Sequence, residues 1–156
     1  MKTILFVCTG NICRSPMAAA ILRDRIAQRG LDSQVQVISA GVWAEDGSHA
    51  SAHGVAVLRL RGIDLAAHRS QPLTPALLRQ ANIVLVMEEA HRRSIFHMAP
   101  EHLTRVFLLS EMAGGHADVE DPYGGTIEAY AATADELTAL IDKGLPKILK
   151  RIGLAA

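Results

Sequence analysis

Near its N-terminus the chain carries the run Cys8-Thr9-Gly10-Asn11-Ile12-Cys13-Arg14-Ser15, which joins a strand-like segment to a helical one. The preceding segment, Thr3–Val7, is apolar and β-favouring, as a buried parallel strand is. The residues from Ser15 to Arg29 predict a helix that Ser15 caps, with Pro16 at its first position. A tight turn between a strand and a helix N-terminus aims backbone N–H groups at one point and favours an anion there. The sequence therefore predicts an anion-binding loop with Cys8 at its base.

The residue types in this loop are those that phosphoryl transfer to sulfur requires. A thiol beside a positive charge or a helix N-terminus becomes a nucleophilic thiolate at neutral pH, which makes Cys8 the predicted nucleophile. The guanidinium of Arg14, six positions later, has the fork geometry that grips two phosphate oxygens. The remaining members are predicted to bind phosphate or to shape the loop: Thr9, Gly10, Asn11, Ile12, Cys13 and Ser15.

The loop C-T-G-N-I-C-R-S-P resembles that of the low-molecular-weight protein tyrosine phosphatases. Four further segments are similar to the family: Ser39-Ala40-Gly41, Gly62-Ile63-Asp64-Leu65, His68-Arg69 and Asp121-Pro122-Tyr123. The resemblance implies a cysteine-dependent enzyme that forms a phosphocysteine intermediate without metal or cofactor. Its partners would be phosphorylated proteins or peptides as substrate and inorganic phosphate as product, and a monomer is expected.

Asp121 is the predicted acid of the reaction. A phosphate ester needs a proton donor at its leaving oxygen, and the Asp-Pro segment offers one on a loop shaped by Pro122 and two glycines. Asp-Pro alone indicates only a turn, so the assignment depends on the resemblance. The resemblance also implies that Ser39 and His68 join the loop asparagine in a network of hydrogen bonds that holds the loop rigid.

The substrate pocket is predicted to have Trp43 and Tyr123 as walls, although Trp43 is equally explained as a half-buried loop anchor. Tyrosine-directed members of the family carry an aliphatic residue at the position of Ile12, whereas an arginine-phosphatase branch carries Thr. The segments 39–44 and 121–127 are closer to that second branch. We expect phosphotyrosine as the substrate, with phosphoarginine as the alternative.

Composition limits the partners of the chain. With 16 basic and 16 acidic residues among 156, no basic surface for nucleic acid or an acidic membrane is expected. No run approaches the 18 apolar residues of a membrane helix, and the N-terminus begins a strand rather than a signal peptide, which predicts a cytoplasmic protein. We predict one domain over residues 1–156.

The cysteine and histidine content bears on three alternatives. Arsenate reductases that share this loop use later redox cysteines, and this chain has only Cys8 and Cys13. Cys13 is explained either by packing or by trapping an oxidised Cys8 in a disulfide. A non-catalytic phosphate-binding module would need neither Cys8 nor Asp121. His49 and His53 are four apart, but no third ligand follows, so no metal site is predicted.

Apolar runs alternate with helical patterns along the chain. Strands are predicted at Ile4–Val7, Val35–Ile38, Ile83–Met87 and Val106–Leu109, and helices at 15–29, 50–61, 74–80, 88–98 and 126–151. Gly144 and Pro146 predict a kink or split in the last helix. The alternation predicts an α/β fold, a doubly wound four-stranded parallel sheet with helices on both faces. The ligand of such a sheet lies beyond the carboxyl ends of its strands, where the Cys8 loop is expected.

Overall fold

A single parallel sheet forms the centre of the molecule, whose computed structural model describes residues 1–154. Its four strands are β1 (Lys2–Cys8), β2 (Val35–Gly41), β3 (Ile83–Val86) and β4 (Val106–Leu108). The spatial order is β2-β1-β3-β4, and every neighbouring pair is parallel. The predicted four-stranded doubly wound sheet is confirmed. The last two residues of the predicted domain, 155 and 156, lie outside the described residues.

Helices connect the strands and cover the sheet. They are α1 (Arg14–Gln28), α2 (Ala52–Arg59), α3 (Pro75–Gln80), α4 (Glu89–Met98), α5 (Leu109–Met112) and α6 (Ile127–Arg151), with a 3-10 helix over Pro100–Arg105. The sequence predicted five of these helices to within two residues at each end. It missed the 3-10 helix and α5, because both are too short to produce a helical period. No helix in the described part of the chain is long and apolar enough to cross a membrane.

The alternation of side chains along β1 places helices on both faces of the sheet. Ile4 and Phe6 point into a core that also contains buried residues of α1 and α6. Leu5 and Val7 point to the opposite face, into a second core with buried residues of α3 and α4. All four side chains are fully buried. Because β1 is covered on both faces, its sequence is a continuous apolar run rather than an alternating one.

The start of α1 differs from the prediction. The helix begins at Arg14, so Ser15 is its second residue, and no side chain caps its N-terminus. The reason is that the hydroxyl of Ser15 hydrogen-bonds within the loop, to the side chains of Cys8 and Asn11. The prediction of Ser15 as the helix cap is therefore wrong. The second strand was predicted over Val35–Ile38, but β2 continues to Gly41.

The predicted split of the last helix is wrong as well. α6 continues from Ile127 to Arg151 with Pro146 inside it. Leu145, Ile148 and Leu149 are fully or almost fully buried on either side of the proline. Their burial stabilises the helix enough to offset the hydrogen bond that proline cannot donate.

The loop after β1 lies where the strand order reverses. β1 pairs with β2 on one side and with β3 on the other. The strands that follow β1 in the sequence are therefore added on both sides of it. In sheets of this type the ligand binds at that position, outside the carboxyl ends of the strands. The fold therefore places Cys8, the last residue of β1, at the expected ligand site.

Candidate active site

The sulfur of Cys8 lies at the base of the loop. Cys8 is 2% exposed, its Sγ is 2.9 Å from the hydroxyl of Ser15, and the backbone N–H of Asn11 donates to it at 3.3 Å. Ser15 Oγ accepts from Asn11, which leaves its own hydrogen to be donated to the sulfur or to the carbonyl of Ala40, 3.5 Å away. The sulfur therefore lies within hydrogen-bond distance of two donors of its own loop, the Asn11 N–H and the Ser15 hydroxyl.

Asn11 holds the loop from inside. It is fully buried and has a φ of 56°, a left-handed conformation that asparagine tolerates better than most residues. Its Nδ2 donates to Ser15 Oγ at 2.8 Å and to Ser39 Oγ at 2.9 Å, while its Oδ1 accepts from the backbone N–H of Gln71 at 2.9 Å. Both N–H donors of this amide and its oxygen are hydrogen-bonded to surrounding residues, which stabilises the unusual backbone conformation.

His68 supports the same residue from outside. Its Nε2 lies 2.7 Å from the carbonyl oxygen of Asn11, so Nε2 carries the hydrogen and donates it. Burial lowers the pKa of His68, and the charges of Arg23 and Arg69 lower it further. The structure thus brings together Asn11, Ser39 and His68, the three members of the network that the resemblance implied.

Arg14 is almost completely buried, at 1% exposure, and makes several contacts at the rim of the loop. Its Nη1 donates to Glu88 Oε2 and to the carbonyl of Val119, both at 2.7 Å. Its Nη2 donates to Thr9 Oγ1 at 3.4 Å and lies 3.5 Å from Asp121 Oδ2. These partners hold the guanidinium beside the Cys8 loop.

Glu88 and His91 are site residues that the sequence analysis missed. The backbone N–H of Glu88 donates to His91 Nδ1 at 3.1 Å, so the other ring nitrogen, Nε2, donates to Thr9 Oγ1 at 3.0 Å. Burial lowers the pKa of His91 to about 4, with the charge of Arg14 as the next cause. His91 is therefore neutral at pH 7. No local motif around residues 88–91 indicates these contacts, which arise because β3 and α4 lie next to β1.

The Asp121 loop closes the other side of the site. Oδ1 of Asp121 accepts the backbone N–H of Tyr123 at 3.1 Å, and Gly124 takes a φ of 79° that suits glycine. The other oxygen, Oδ2, faces Arg14, and 44% of the carboxylate side chain is exposed. Of the neighbouring carboxylates, Asp118 instead accepts the backbone N–H of Glu89 at 3.0 Å.

Cys8, Arg14 and Asp121 line one cavity of about 480 Å³ above the sulfur. Trp43 and Tyr123 stand at its rim and are 85% and 70% exposed, so Trp43 is not the half-buried anchor that was its alternative explanation. Ile12 is half-buried in the same wall. The full lining consists of Cys8, Thr9, Gly10, Ile12, Cys13, Arg14, Trp43, Glu45, Ser48, His49, Asp121 and Tyr123.

Cys13 lies on the inner side of the loop as a free thiol. Its Sγ is 3.3 Å from the hydroxyl of Tyr130 in α6, and the thiol is 4% exposed. Burial raises the pKa of Cys13 to about 11 and that of Tyr130 to about 12. Among residues 1–154, no three His, Cys, Asp or Glu side chains are placed to hold a metal ion.

Comparison with known proteins identifies the family. The family model described as low molecular weight phosphotyrosine protein phosphatase matches residues 3–153. A protein-arginine-phosphatase of Geobacillus stearothermophilus is 45% identical over 93% of this chain and 95% of its own length. A probable low molecular weight protein-tyrosine-phosphatase, EpsP of Ralstonia solanacearum, is 40% identical over 97% of each chain.

Solved structures agree with these relatives. The crystal structure of a low molecular weight protein tyrosine phosphatase from T. tengcongensis superposes with a TM-score of 0.89 at 43% identity, covering 94% of this chain and 99% of that one. The agreement extends over the whole sheet and its helices, not only over the loop. The chain therefore belongs to the low molecular weight phosphotyrosine protein phosphatases, which are cysteine-dependent hydrolases of phosphorylated proteins.

Proposed function

We propose that this enzyme hydrolyses phosphotyrosine in proteins and that Ile12 sets this preference. Ile12 lies in the loop wall beside Cys8, within the cavity where the group carrying the phosphate must enter. An aliphatic side chain packs favourably against a phenyl ring and offers no hydroxyl to a guanidinium. The position of this side chain is the observation that carries the proposal.

The rim of the cavity supports the same substrate. Trp43 and Tyr123 expose aromatic faces around the opening, where they can contact a planar side chain. Both side chains are largely exposed, so each can offer an aromatic face to a substrate that enters the cavity.

In the proposed reaction the Cys8 thiolate attacks phosphorus, and the bond from phosphorus to the leaving oxygen breaks. Arg14 and the backbone amides of Thr9, Gly10, Ile12, Cys13 and Ser15 hold the non-reacting oxygens, while the backbone N–H of Asn11 is directed at the sulfur. Catalysis is then mostly positioning and charge stabilisation. The partners of Arg14 support this role, because a guanidinium fixed by Glu88 and Val119 loses little freedom when phosphate binds.

Asp121 is proposed to protonate the leaving oxygen and afterwards to take a proton from the water that hydrolyses the phosphocysteine. Its carboxylate lines the cavity beside Arg14, within reach of both the loop and solvent. A positioned general acid contributes about 10²–10⁴-fold to the rate. Ser15 is proposed to stabilise the departing thiolate in the second step through its hydroxyl.

Phosphoarginine is the second candidate substrate. The relatives from Geobacillus stearothermophilus and Bacillus subtilis, at 45% and 43% identity, are both named protein-arginine-phosphatases. The cavity also contains the carboxylate of Glu45, which offers a guanidinium a charge partner. If phosphoarginine is the substrate, residues of the outer cavity rather than Ile12 select it.

The deciding experiment compares initial rates on matched phosphotyrosine and phosphoarginine peptides, for wild type and for Ile12→Thr. We expect wild type to prefer phosphotyrosine and Ile12→Thr to weaken that preference by about tenfold or more, which corresponds to about 1.4 kcal/mol. Leu77→Thr, a similar change in a half-buried residue outside the cavity, serves as the control. A wild-type preference for phosphoarginine would transfer the function to the second candidate.

The proposal includes the location, the oligomeric state and the partners of the enzyme. We place the enzyme in the cytoplasm, where its two unpaired cysteines remain reduced, and we propose that it is a monomer. Its partner is the phosphorylated protein, and phosphate is its product. The nearly equal numbers of acidic and basic residues support substrate recognition at the cavity rather than through a broad charged surface.

A further inference from the structure

A second cleft, of about 310 Å³, lies on the other side of the Cys8 loop from the active-site cavity. Its lining comes from α1, from β2 and from the loop between α2 and α3, and includes Arg23 of α1 and Ser39 of β2. The complete lining is Arg23, Ile38, Ser39, Asp64, Leu65, Ala67, His68, Arg69 and Gln71. None of these residues lines the active-site cavity, so the cleft is a separate feature of the surface.

Two guanidinium groups give this cleft a positive character. Arg23 donates through Nε and Nη2 to the carbonyl of Val37, at 3.0 and 2.8 Å, which fixes its plane against β2. Arg69 donates to the carbonyl of His68 at 2.8 Å. Within residues 1–154, neither guanidinium forms an ion pair with a carboxylate. Asp64 is the one carboxylate of the lining, and its Oδ1 accepts the backbone N–H of Ala66.

A bound anion would stabilise these groups. Arg23 and Arg69 are both exposed at the surface, and partial desolvation lowers the pKa of Arg23. Burial lowers the pKa of His68, and the charges of the two arginines lower it further. An anion between the arginines would pair with both charges and oppose their effect on the imidazole. Guanidinium groups held by backbone carbonyls keep N–H groups free for such a ligand.

The floor of the cleft is connected to the nucleophile through one residue. Ser39, His68 and Gln71 line the cleft, and each of them hydrogen-bonds Asn11. Asn11 in turn donates its backbone N–H to the sulfur of Cys8. A change at His68 therefore reaches the catalytic sulfur through Asn11 alone.

We propose that this cleft binds a small anion of the phosphate class between Arg23 and Arg69, in a position to act on the Cys8 loop through His68 and Asn11. Phosphate is the product of the family's reaction, so the ligand is available wherever the enzyme works. The site goes beyond the proposed function and does not depend on which phosphorylated residue is the substrate.

The test is an NMR pH titration of the His68 ring, with and without inorganic phosphate. In wild type, phosphate is expected to raise the titration midpoint of His68 by about 1 pH unit, because a nearby negative charge favours the imidazolium. The backbone amide of Asn11 should shift with it. Arg69→Gln and Arg23→Gln should each reduce the rise by half or more. Arg29→Gln, the same charge change at an exposed arginine outside the cleft, should leave it intact.

Phosphate also binds in the active-site cavity, so the variants must separate the two sites. Competitive inhibition of turnover by phosphate should persist in all three arginine variants, because none of these arginines lines the active-site cavity. The proposal is overturned if phosphate leaves the wild-type His68 midpoint unchanged. It is equally overturned if the rise persists undiminished in Arg23→Gln and Arg69→Gln, because the anion would then act from the Cys8 side. Neither readout depends on the choice of substrate, so the outcome is distinct from that of the proposed function.

Discussion

The buried guanidinium of Arg14 is held beside the phosphate loop by residues far from it in the sequence. Its Nη1 nitrogen is shared between the carboxylate of Glu88 and the carbonyl of Val119, both at 2.7 Å. A charged group with 1% exposure needs such partners, because an unpaired buried charge is strongly unfavourable. Glu88 therefore positions the guanidinium and balances its charge.

Glu88→Gln is expected to lower kcat/KM by about 10–100-fold, since a hydrogen bond to a charged group contributes about 1.5–3 kcal/mol. Glu89→Gln provides the matched control, because the Glu89 carboxylate is 48% exposed and its ion pair, at 3.5 Å, is with the partly exposed Arg92 rather than with Arg14. That control should stay within about twofold of wild type. Steady-state kinetics on one phosphorylated peptide measures both, and equal rates for the two variants would contradict the role of Glu88.

For individual site residues, the sequence predicted those that lie close together in the chain and missed those that reach the site from distant positions. Cys8, Arg14 and Ser15 lie within eight residues of one another, so their spacing alone indicated a phosphate loop. Glu88 and His91 reach the same site only because β3 pairs beside β1. No local pattern in Met87-Glu88-Glu89-Ala90-His91 distinguishes these two residues from a helix start with surface charges.

The helices show how packing overrides local preference. Gly144 lies in the interior of α6, where glycine is unfavourable for a helix by up to about 1 kcal/mol. A Cβ at this position would meet the Cβ of Met112 at 2.8 Å and its backbone carbonyl carbon at 3.2 Å. The glycine therefore allows α5 to approach α6 closely.

Gly144→Ala is expected to destabilise the protein by about 1–3 kcal/mol, because overpacking outweighs the gain in helix propensity. Gly54→Ala is the comparison, as the nearest atom to a Cβ at this helical glycine is the flexible Met17 sulfur at 3.4 Å. That substitution should be neutral or stabilising by up to about 1 kcal/mol. Urea unfolding measures both, and a stabilised Gly144→Ala would refute the close packing of α5 on α6.

The fold of the whole molecule was predictable because strands and helices alternate regularly along the chain. β1 is a continuous apolar run, and the helical pattern that follows it is long enough to be recognised. The continuity of α6 was not predictable, because Pro146 is a local signal for interruption and the burial that offsets it depends on distant residues. The cleft lined by Arg23 and Arg69 could not be predicted either, because its lining residues are far apart in the sequence.

Stability of the whole molecule should depend on pH through His91. Its pKa is about 4 in the folded protein, below the ordinary value of 6.5, so the unfolded chain binds more protons between these values. The stabilisation, about 3 kcal/mol, is complete above about pH 6.5 and is lost as pH falls toward 4. The main cause is that burial disfavours the protonated imidazole.

We expect His91→Gln to flatten the dependence of the unfolding free energy on pH between 4 and 6.5. His97→Gln on the same helix is the control, because His97 is exposed and should leave the wild-type slope unchanged. Urea unfolding at several pH values tests this. A wild-type slope in His91→Gln would contradict the assignment of the titrating group.

The central claim is that Cys8 carries the phosphate between the two steps of the reaction. The most direct measurement is rapid acid quenching of enzyme and phosphotyrosine peptide within a single turnover, followed by mass spectrometry of the protein. Phosphate should be found on Cys8 before inorganic phosphate appears. The phosphorylated enzyme should form more slowly in Asp121→Asn, because the leaving oxygen then lacks its proton donor. Release of phosphate with no phosphorylated enzyme at any time, or phosphate on a residue other than Cys8, would rule out Cys8 as the carrier.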